Sequence, residues 1–252
     1  DLFARGYLYT VAGFDVFAGE VALAAAAIIL IGIFQYRGVR HVGGFQLLLT
    51  VVLVGGVMAI GFGTPLTAEA SADNWQPLFA SDKSPVAAVM AIVAISPWLY
   101  VGFDTLPQAA EEFDFSPSRG RRLMVWSILA GGLMYVAVIL ATASVMPWEQ
   151  LVASRPIWAT GTTVHASLGS MGLTLLAVAV VAAVATGING FYMATSRLLF
   201  SMGRAQLLPG WFSHIHPIHG TPTNAIVFTA VVSLLAPWFG RQVLSWLSLI
   251  HL

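Results

Sequence analysis

The sequence predicts an all-α integral membrane protein, and two observations carry that prediction. Of its 252 residues, 58% are hydrophobic and 9% are charged, with a mean hydropathy of +0.84, whereas a soluble domain has about 25% charged residues. Several uncharged apolar runs also reach the roughly 20 residues that a helix needs to cross about 30 Å of hydrocarbon. We therefore expect a single transmembrane domain over residues 1–252.

Apolar runs bounded by charged residues, Pro or Gly define six predicted membrane helices. A seventh begins near Gln242 and stops at Leu252. Because a helix that ended inside the bilayer would leave its last carbonyl groups without partners, we expect a fragment truncated at both ends. The six predicted spans are residues 20–36, 42–63, 86–110, 123–146, 168–203 and 223–240.

Charge and cysteine content exclude several classes of function. The formal net charge is zero, which argues against nucleic-acid binding. The chain has no cysteine, so disulfides, thiolate metal sites and cysteine nucleophiles are excluded. Seven basic residues fall on one side of the predicted spans and four on the other, which predicts the first side to be cytoplasmic. The seven are Arg37, Arg40, Arg119, Arg121, Arg122, Arg197 and Arg204, and the four are Arg5, Lys83, Arg155 and Arg241.

The two longer loops on the opposite side, residues 64–85 and 147–167, contain Trp75, Trp148 and Trp158. Indole rings favour the headgroup region, so short interfacial pieces would suit these loops. Plain connecting loops suit them equally well.

The segment from Ile95 to Glu112, ISPWLYVGFDTLPQAAEE, combines three residues that weaken a helix. Pro97 has no amide hydrogen, Gly102 costs about 1 kcal/mol relative to Ala, and Pro107 weakens the following turn. Together they predict a discontinuity in the third span. Backbone groups freed from helical bonding cannot face lipid, so this segment must line a cavity inside the protein.

Asp104 is the one carboxylate well inside a predicted span. A charge at mid-membrane costs about 2.5 to 3.5 kcal/mol, which favours a functional role; capping of the second half-helix is the alternative, and the two can coexist. Trp98, Tyr100 and Phe103 either line an aromatic pocket or face lipid. Gly102 suits either a break or close helix packing.

Three stretches of the sequence resemble the amino acid–polyamine–organocation permeases. PWLYVGFDTLPQAAEEFDFSP resembles the signature of the sixth helix of that family. NGFYMATSRLLFSMGRAQLLPGWFSHIHPIHGTPTNA, from Asn189 to Ala225, resembles the eighth helix, the next cytoplasmic loop and the start of the ninth helix. RGVRHVGGFQ, from Arg37 to Gln46, resembles the turn between the fourth and fifth helices. Their order implies that the chain runs from the fourth helix into the tenth.

This resemblance implies part of a five-plus-five inverted-repeat fold, in which interrupted first and sixth helices hold the substrate near the midplane. The carbonyl groups from Trp98 to Val101 would face the amino group of the substrate, with Trp98 or Tyr100 closing over it. Asp104 would contribute to gating or proton linkage, and Phe191 would line the same pocket. The implied substrate-binding residues are Ser96, Pro97, Trp98, Leu99, Tyr100, Val101, Gly102, Phe103 and Phe191.

The chain departs from relatives of this family in two respects. Some proton-coupled relatives carry a lysine in the fifth helix, whereas Leu53 stands near that position and the one lysine, Lys83, lies in a predicted loop. Exchange, facilitated uptake, and coupling to H+ or Na+ that involves Asp104 remain open. The glycine-rich first helix, which would bind the substrate carboxylate, is not in this sequence.

Two polar residues and a histidine cluster are further candidates. Thr186 and Asn189 could coordinate a cation beside the site, or they could bond neighbouring backbone. His214, His216 and His219 are closely spaced, but no carboxylate or thiol lies near them in the sequence. We therefore predict neither a metal site nor a cofactor.

Glu111 and Glu112 follow the predicted break. They either mark a solvated helix end or form a cytoplasmic gate with one of the nearby arginines. The candidate partners are Arg119, Arg121 and Arg204.

These patterns favour a secondary transporter for amino acids or related organic amines that works by alternating access, as an antiporter or a symporter. A channel or a non-transporting membrane subunit is the alternative. An intramembrane enzyme is disfavoured because an aspartyl protease needs a second membrane carboxylate, and the chain has no GxSxG, HExxH or P-loop motif. Saturable counterflow would separate a carrier from a channel.

Overall fold

The computed structural model describes residues 3–100, 102, 105–108, 114–240 and 243–244; for residues 39–42, 97–98 and 106 it describes the backbone. Across this part of the chain the structure is α-helical apart from short 3-10 turns and one β-hairpin, so the predicted all-α membrane fold is confirmed. The helices are α1 (Ala18–Arg37), α2 (Val39–Gly63), α3 (Pro85–Leu99), α4 (Thr105–Gln108), α5 (Pro117–Ala143), α6 (Trp148–Ala153), α7 (Ala159–Arg204) and α8 (Thr223–Ser233).

Several predicted residues lie outside this described part of the chain. They are Val101, Phe103, Asp104, Glu111 and Glu112, together with the seventh predicted helix from Gln242, of which 243–244 alone are described.

Four of the described helices are long and apolar enough to cross a membrane, and two shorter apolar helices accompany them. Each of them overlaps one of the six predicted spans. Large apolar side chains remain exposed along these helices, as expected for surfaces that face lipid. The four long stretches are Ala18–Arg37, Gly43–Leu66, Pro117–Ala143 and Ala159–Arg204, and the shorter ones are Pro85–Ser96 and Thr223–Phe239.

Helix α5 begins at Pro117, six residues before the predicted start at 123. Proline is favoured in the first turn, where its missing amide would have no partner anyway, and arginine is a good helix former. Arg119, Arg121 and Arg122 therefore extend the helix beyond its apolar part. A prediction based on hydropathy alone ends where the charges begin.

Two other spans differ from their predicted bounds because of a glycine and a proline. The fifth run begins at Ala159, and Gly169 interrupts it with the non-helical angles φ 63° and ψ −159°. Helix α8 ends at Ser233, seven residues before the predicted end at 240. Pro237 has no amide to donate to the carbonyl of Ser233, and a 3-10 turn, Ala236–Phe239, follows instead.

The chain begins with an antiparallel β-hairpin that the sequence analysis missed. Strands β1 (Tyr7–Val11) and β2 (Phe14–Phe17) pair with Val11 opposite Phe14. Ala12 and Gly13 have φ angles of 50° and 80°, the type I′ turn that two-residue hairpins favour. The signal was present, since two aromatic and β-branched runs flank a two-residue turn.

The two longer loops contain short helical pieces, as the interfacial alternative expected. A 3-10 turn covers Ala72–Trp75, and α6 begins at Trp148. The indole N–H of Trp75 donates to the carbonyl oxygen of Leu140 at 3.2 Å, and that of Trp148 donates to the carbonyl oxygen of Pro77 at 2.6 Å. Trp75 therefore anchors its loop to α5, and Trp148 anchors the loop backbone at Pro77.

The chain folds as two compact units. The first comprises residues 1–46, 97–117 and 185–252, and its core contains Ile28, Ile31 and Tyr192. The second comprises residues 47–96 and 118–184, and its core contains Ile60, Val164 and Leu176.

Candidate functional site

The third predicted span is broken where the sequence predicted a discontinuity. Helix α3 ends at Leu99, Tyr100 and Gly102 lie in turns, and α4 begins at Thr105. Gly102 has a φ angle of +103°, which L residues with a side chain rarely adopt. Pro97 lies inside α3, so the helix breaks at glycine rather than at proline.

Ser96 explains how α3 continues past Pro97. In a helix the carbonyl of Val93 would accept from the amide of residue 97, and proline has no such hydrogen. The hydroxyl of Ser96 donates to this carbonyl oxygen at 2.8 Å. The side chain thus replaces the missing backbone donor.

The carbonyl of Gly102 is engaged by the start of α4. It accepts a hydrogen bond from the amide of Thr105 at 3.1 Å and another from the hydroxyl of Thr105 at 2.8 Å. A carbonyl oxygen has two lone pairs, so both are engaged. Within the break, the carbonyls available to a ligand must therefore come from other residues.

Phe191 of α7 lies beside the break. A Cβ atom built on Gly102 would stand 3.6 Å from Cζ of Phe191, which is van der Waals contact. Phe191 is 46% exposed, so nearly half of its surface is accessible. The structure thus brings together two of the predicted site residues that are far apart in the sequence.

Of the remaining predicted residues, Leu99 is 39% exposed and Tyr100 is half-buried. The backbones of Pro97 and Trp98 belong to the last turns of α3.

The two candidate cation ligands have different surroundings. Asn189 is 3% exposed, and its side chain is bonded to two glutamines: its amide donates to Oε1 of Gln46 at 2.7 Å and its Oδ1 accepts from Nε2 of Gln35 at 2.9 Å. The hydroxyl oxygen of Thr186 is buried and has no hydrogen-bond partner within the described part of the chain. Among these residues Thr186 therefore differs from Asn189, whose side chain is engaged by protein groups.

A cavity of about 430 Å3 lies next to α4 in the first unit. Gln108 of α4 and Arg197, Ser201 and Arg204 of α7 contribute polar groups to its wall. Arg197 is 8% exposed and donates to the hydroxyl oxygen of Ser196 at 3.0 Å. Both arginines belong to the side predicted to be cytoplasmic. Glu111 and Glu112, the predicted partners of Arg204, lie outside the described residues.

Comparison with known families decides the class of this protein. Residues 2–250 match the family described as amino acid permease. The chain belongs to the amino acid permease family. The resemblance to the amino acid–polyamine–organocation permeases is thereby confirmed, and the permease is a multi-pass protein of the cell membrane.

Several curated proteins are similar to this permease. An uncharacterized transporter of Rhizobium meliloti is 30% identical over 217 residues, which cover 83% of this chain and 45% of that protein. The methylthioribose transporter of Bacillus subtilis is 27% identical, over 83% of this chain and 44% of its own length. A branched-chain amino acid permease of Bacillus subtilis is 25% identical, over 88% and 45%. The chain thus spans less than half the length of these relatives.

Sequence analysis missed four polar residues of this permease that bear on the site. Thr105 closes the break on the α4 side, and Gln35, Gln46 and Tyr192 surround the segment of α7 that carries Phe191. Amide side chains in apolar spans are a recognisable signal, because membrane helices use them for interhelical hydrogen bonds. Their partners could not be inferred from spacing.

Proposed function

We propose that this permease is part of a secondary transporter for amino acids or related organic amines, which works by alternating access around the break between α3 and α4. The family supports transport of small molecules. The long apolar helices support a multi-pass protein that encloses a path across the bilayer. The remaining argument concerns where the substrate binds.

The break at Gly102 carries the proposal. Backbone groups that leave a membrane helix need hydrogen-bond partners from protein, water or ligand. The ammonium group of a substrate is a suitable partner, because its N–H groups can donate to the carbonyl oxygens. Because Thr105 occupies the carbonyl of Gly102, we assign the amine to the carbonyls between Trp98 and Val101. The exposed ring of Phe191 offers an apolar wall for the substrate side chain.

Asp104 and Thr186 are the candidates for coupling. We assign Asp104 to gating or proton linkage, with Glu111 and Glu112 forming the cytoplasmic gate. Since the buried hydroxyl of Thr186 has no partner among the described residues, it is the better of the two proposed cation ligands. Leu53 supplies no ammonium in place of a sodium ion. The transport assay must therefore distinguish coupling to H+ or Na+ through these groups from exchange without either ion.

The names of the relatives define the panel of substrates for the transport assay. One is a branched-chain amino acid permease, one is a methylthioribose transporter and one is the chloroplastic cationic amino acid transporter 9 of Arabidopsis thaliana. These substrates share no side chain, and methylthioribose has no amino group. The panel must therefore include valine, leucine, lysine, arginine, a polyamine and methylthioribose.

Counterflow with the full-length protein in proteoliposomes tests the proposal. We expect saturable counterflow of at least one amino acid or amine, and a loss of about tenfold or more in Gly102→Leu, because the new side chain would displace Phe191 and strain the turn. Asp104→Asn should alter the pH or ion dependence. Unchanged transport in both variants would remove the break from the mechanism.

Matched controls separate these effects from general damage. Gly131→Leu places the same side chain on a glycine of α5 where no atom of the described residues lies within 4 Å of the Cβ position. Asp114→Asn removes an exposed carboxylate outside the predicted spans. Both controls should transport as the parent does. Flux without saturation would favour a channel, absence of any flux would favour a non-transporting subunit, and hydrolysis of a peptide would favour an enzyme.

A further inference from the structure

Four polar side chains meet where α1, α2 and α7 pack together in the first unit. Nε2 of Gln35 donates both to Oδ1 and to the backbone oxygen of Asn189, at 2.9 and 3.0 Å. The amide of Asn189 donates to Oε1 of Gln46 at 2.7 Å. One turn further along α7, the hydroxyl of Tyr192 donates to the carbonyl oxygen of Ile28 at 3.1 Å. We call Gln35, Gln46, Asn189 and Tyr192 the polar clamp.

Three of the four side chains of the polar clamp are buried, and Gln46 is half-buried. Gln35 is 1% exposed, and Asn189 and Tyr192 are each 3% exposed. A buried amide or hydroxyl that loses its partner pays the full desolvation penalty, so each bond of the clamp opposes separation of the helices. The clamp also requires close approach, since a Cβ atom on Gly32 would stand only 3.2 Å from the Tyr192 hydroxyl.

The clamp fixes both the height and the rotation of α7. Asn189 and Tyr192 are three positions apart and lie on the same face of the helix, and they bond to α1 at points seven residues apart, Gln35 and Ile28. Two attachment points at different heights prevent α7 from sliding along α1. Because both points lie on one face, they also prevent the helix from rolling.

Phe191 projects from a different side of α7. It follows Asn189 by two positions, which places it about 200° around the helix from that residue. Its ring lies beside Gly102, in contact distance of the Cβ position. Phe191 therefore lies nearly opposite the bonds that Asn189 makes and about 100° from Tyr192.

We propose that the polar clamp positions Phe191 against the break, and that it thereby sets the preference of the permease for substrate side-chain size. Asn189 acts through Phe191 and is not a cation ligand. This inference rests on the proposed function for its effect on transport. When the clamp is lost, α7 can roll and the wall formed by Phe191 moves, which affects a bulky substrate more than a small one.

Transport kinetics of clamp variants provide the first test. In Asn189→Ala and in Gln35→Ala we expect the KM for leucine to rise about fivefold, the effect of losing one buried hydrogen bond, with a smaller rise for alanine. If the panel identifies other substrates, the bulkiest of them replaces leucine and the smallest replaces alanine in this comparison. Asn224→Ala is the matched control: its side chain donates to the carbonyl oxygen of Trp211 at 2.7 Å, within the same unit.

The decisive comparison uses Phe191→Ala as the background. If the clamp acts through Phe191, adding Asn189→Ala to Phe191→Ala should leave the ratio of the two KM values unchanged. Two results would overturn the inference. One is a change in this ratio that is as large in the Phe191→Ala background as in the parent. The other is a rise in KM in the parent that is equal for the large and the small substrate. A loss of ion dependence in Asn189→Ala would return this residue to a cation site and would equally overturn it.

A labelling experiment tests the clamp without transport. These 252 residues contain no cysteine, so Phe191→Cys introduces the one thiol of this stretch. We expect its rate of modification by N-ethylmaleimide to change severalfold when Asn189→Ala or Gln35→Ala is added, and to be unaffected by Asn224→Ala. Equal rates in all these variants would refute the positioning role. If the parent shows no counterflow with any substrate, the proposed function fails while this labelling result still decides the clamp.

Discussion

Gly56 of α2 and Ala179 of α7 pack so closely in the second unit that a Cβ atom on Gly56 would stand 2.6 Å from the Cβ of Ala179. Small residues allow such contact between membrane helices. We expect Gly56→Ala to lower the free energy of unfolding in SDS by about 1 to 3 kcal/mol, because the added methyl group overpacks the interface. Gly55→Ala is the control, since no atom in the described part of the chain lies within 4 Å of that Cβ position. It should be neutral or stabilising by up to about 1 kcal/mol. Equal effects at both positions would contradict the close packing.

The hydroxyl of Ser96 replaces the amide that Pro97 lacks. Ser96→Ala should therefore lower the free energy of unfolding by about 1 kcal/mol, because the carbonyl of Val93 loses its donor. Ser96→Thr should retain the bond. Ser127→Ala is the control: its hydroxyl also bonds a helix carbonyl, that of Leu123 at 2.8 Å, but a backbone amide already serves that carbonyl. A loss as large in Ser127→Ala as in Ser96→Ala would show that proline is not the reason.

Gly32 makes room for the hydroxyl of Tyr192. In Gly32→Ala the new methyl group would stand 3.2 Å from that oxygen but 3.6 Å from the ring carbon Cζ. We expect a loss of about 1 to 3 kcal/mol in Gly32→Ala from overpacking. Tyr192→Phe removes the oxygen, so the double variant should lose less than the sum of the single variants in SDS unfolding. Strict additivity would show that the two residues do not compete for space.

Thr221 caps the C-terminal end of α1. The last four carbonyls of a helix have no intrahelical donor, and the hydroxyl of Thr221 donates to one of them, that of Tyr36, at 3.0 Å. Thr221 is 1% exposed, so water cannot readily replace it. We expect Thr221→Val to cost about 1 to 3 kcal/mol of unfolding free energy and Thr221→Ser to cost much less.

A valine substitution within a helix provides the comparison for Thr221. The hydroxyl of Thr142 bonds the carbonyl of Val138 at 2.8 Å, which the helix backbone already satisfies. Thr142→Val should therefore leave the unfolding free energy nearly unchanged. If Thr221→Val were as mild as Thr142→Val, capping by Thr221 would not stabilise the C-terminal end of α1.

Elements whose cause is local could be predicted from the sequence. The apolar spans follow from run length, because a helix must be about 20 residues long to cross hydrocarbon. The break near Gly102 follows from the poor helix formers around it. Errors arose where local rules compete: the arginines after Pro117 continue a helix although they are charged, and Pro237 ends one although its surroundings are apolar. The hairpin was missed because hydropathy does not detect short strands.

The sequence by itself determined that this chain is a membrane protein of the permease type, about where its spans lie, and that one of them is interrupted between Pro97 and Pro107. Each of these depends on neighbours within a few turns of helix. The tertiary structure alone decided that Phe191 faces Gly102 and that Gln35 bonds Asn189, 154 positions away in the sequence. Spacing along a chain specifies the face of a helix on which a residue lies. Which other helix that face meets depends on packing, and packing decides which polar groups become partners and which aromatic ring stands beside the break.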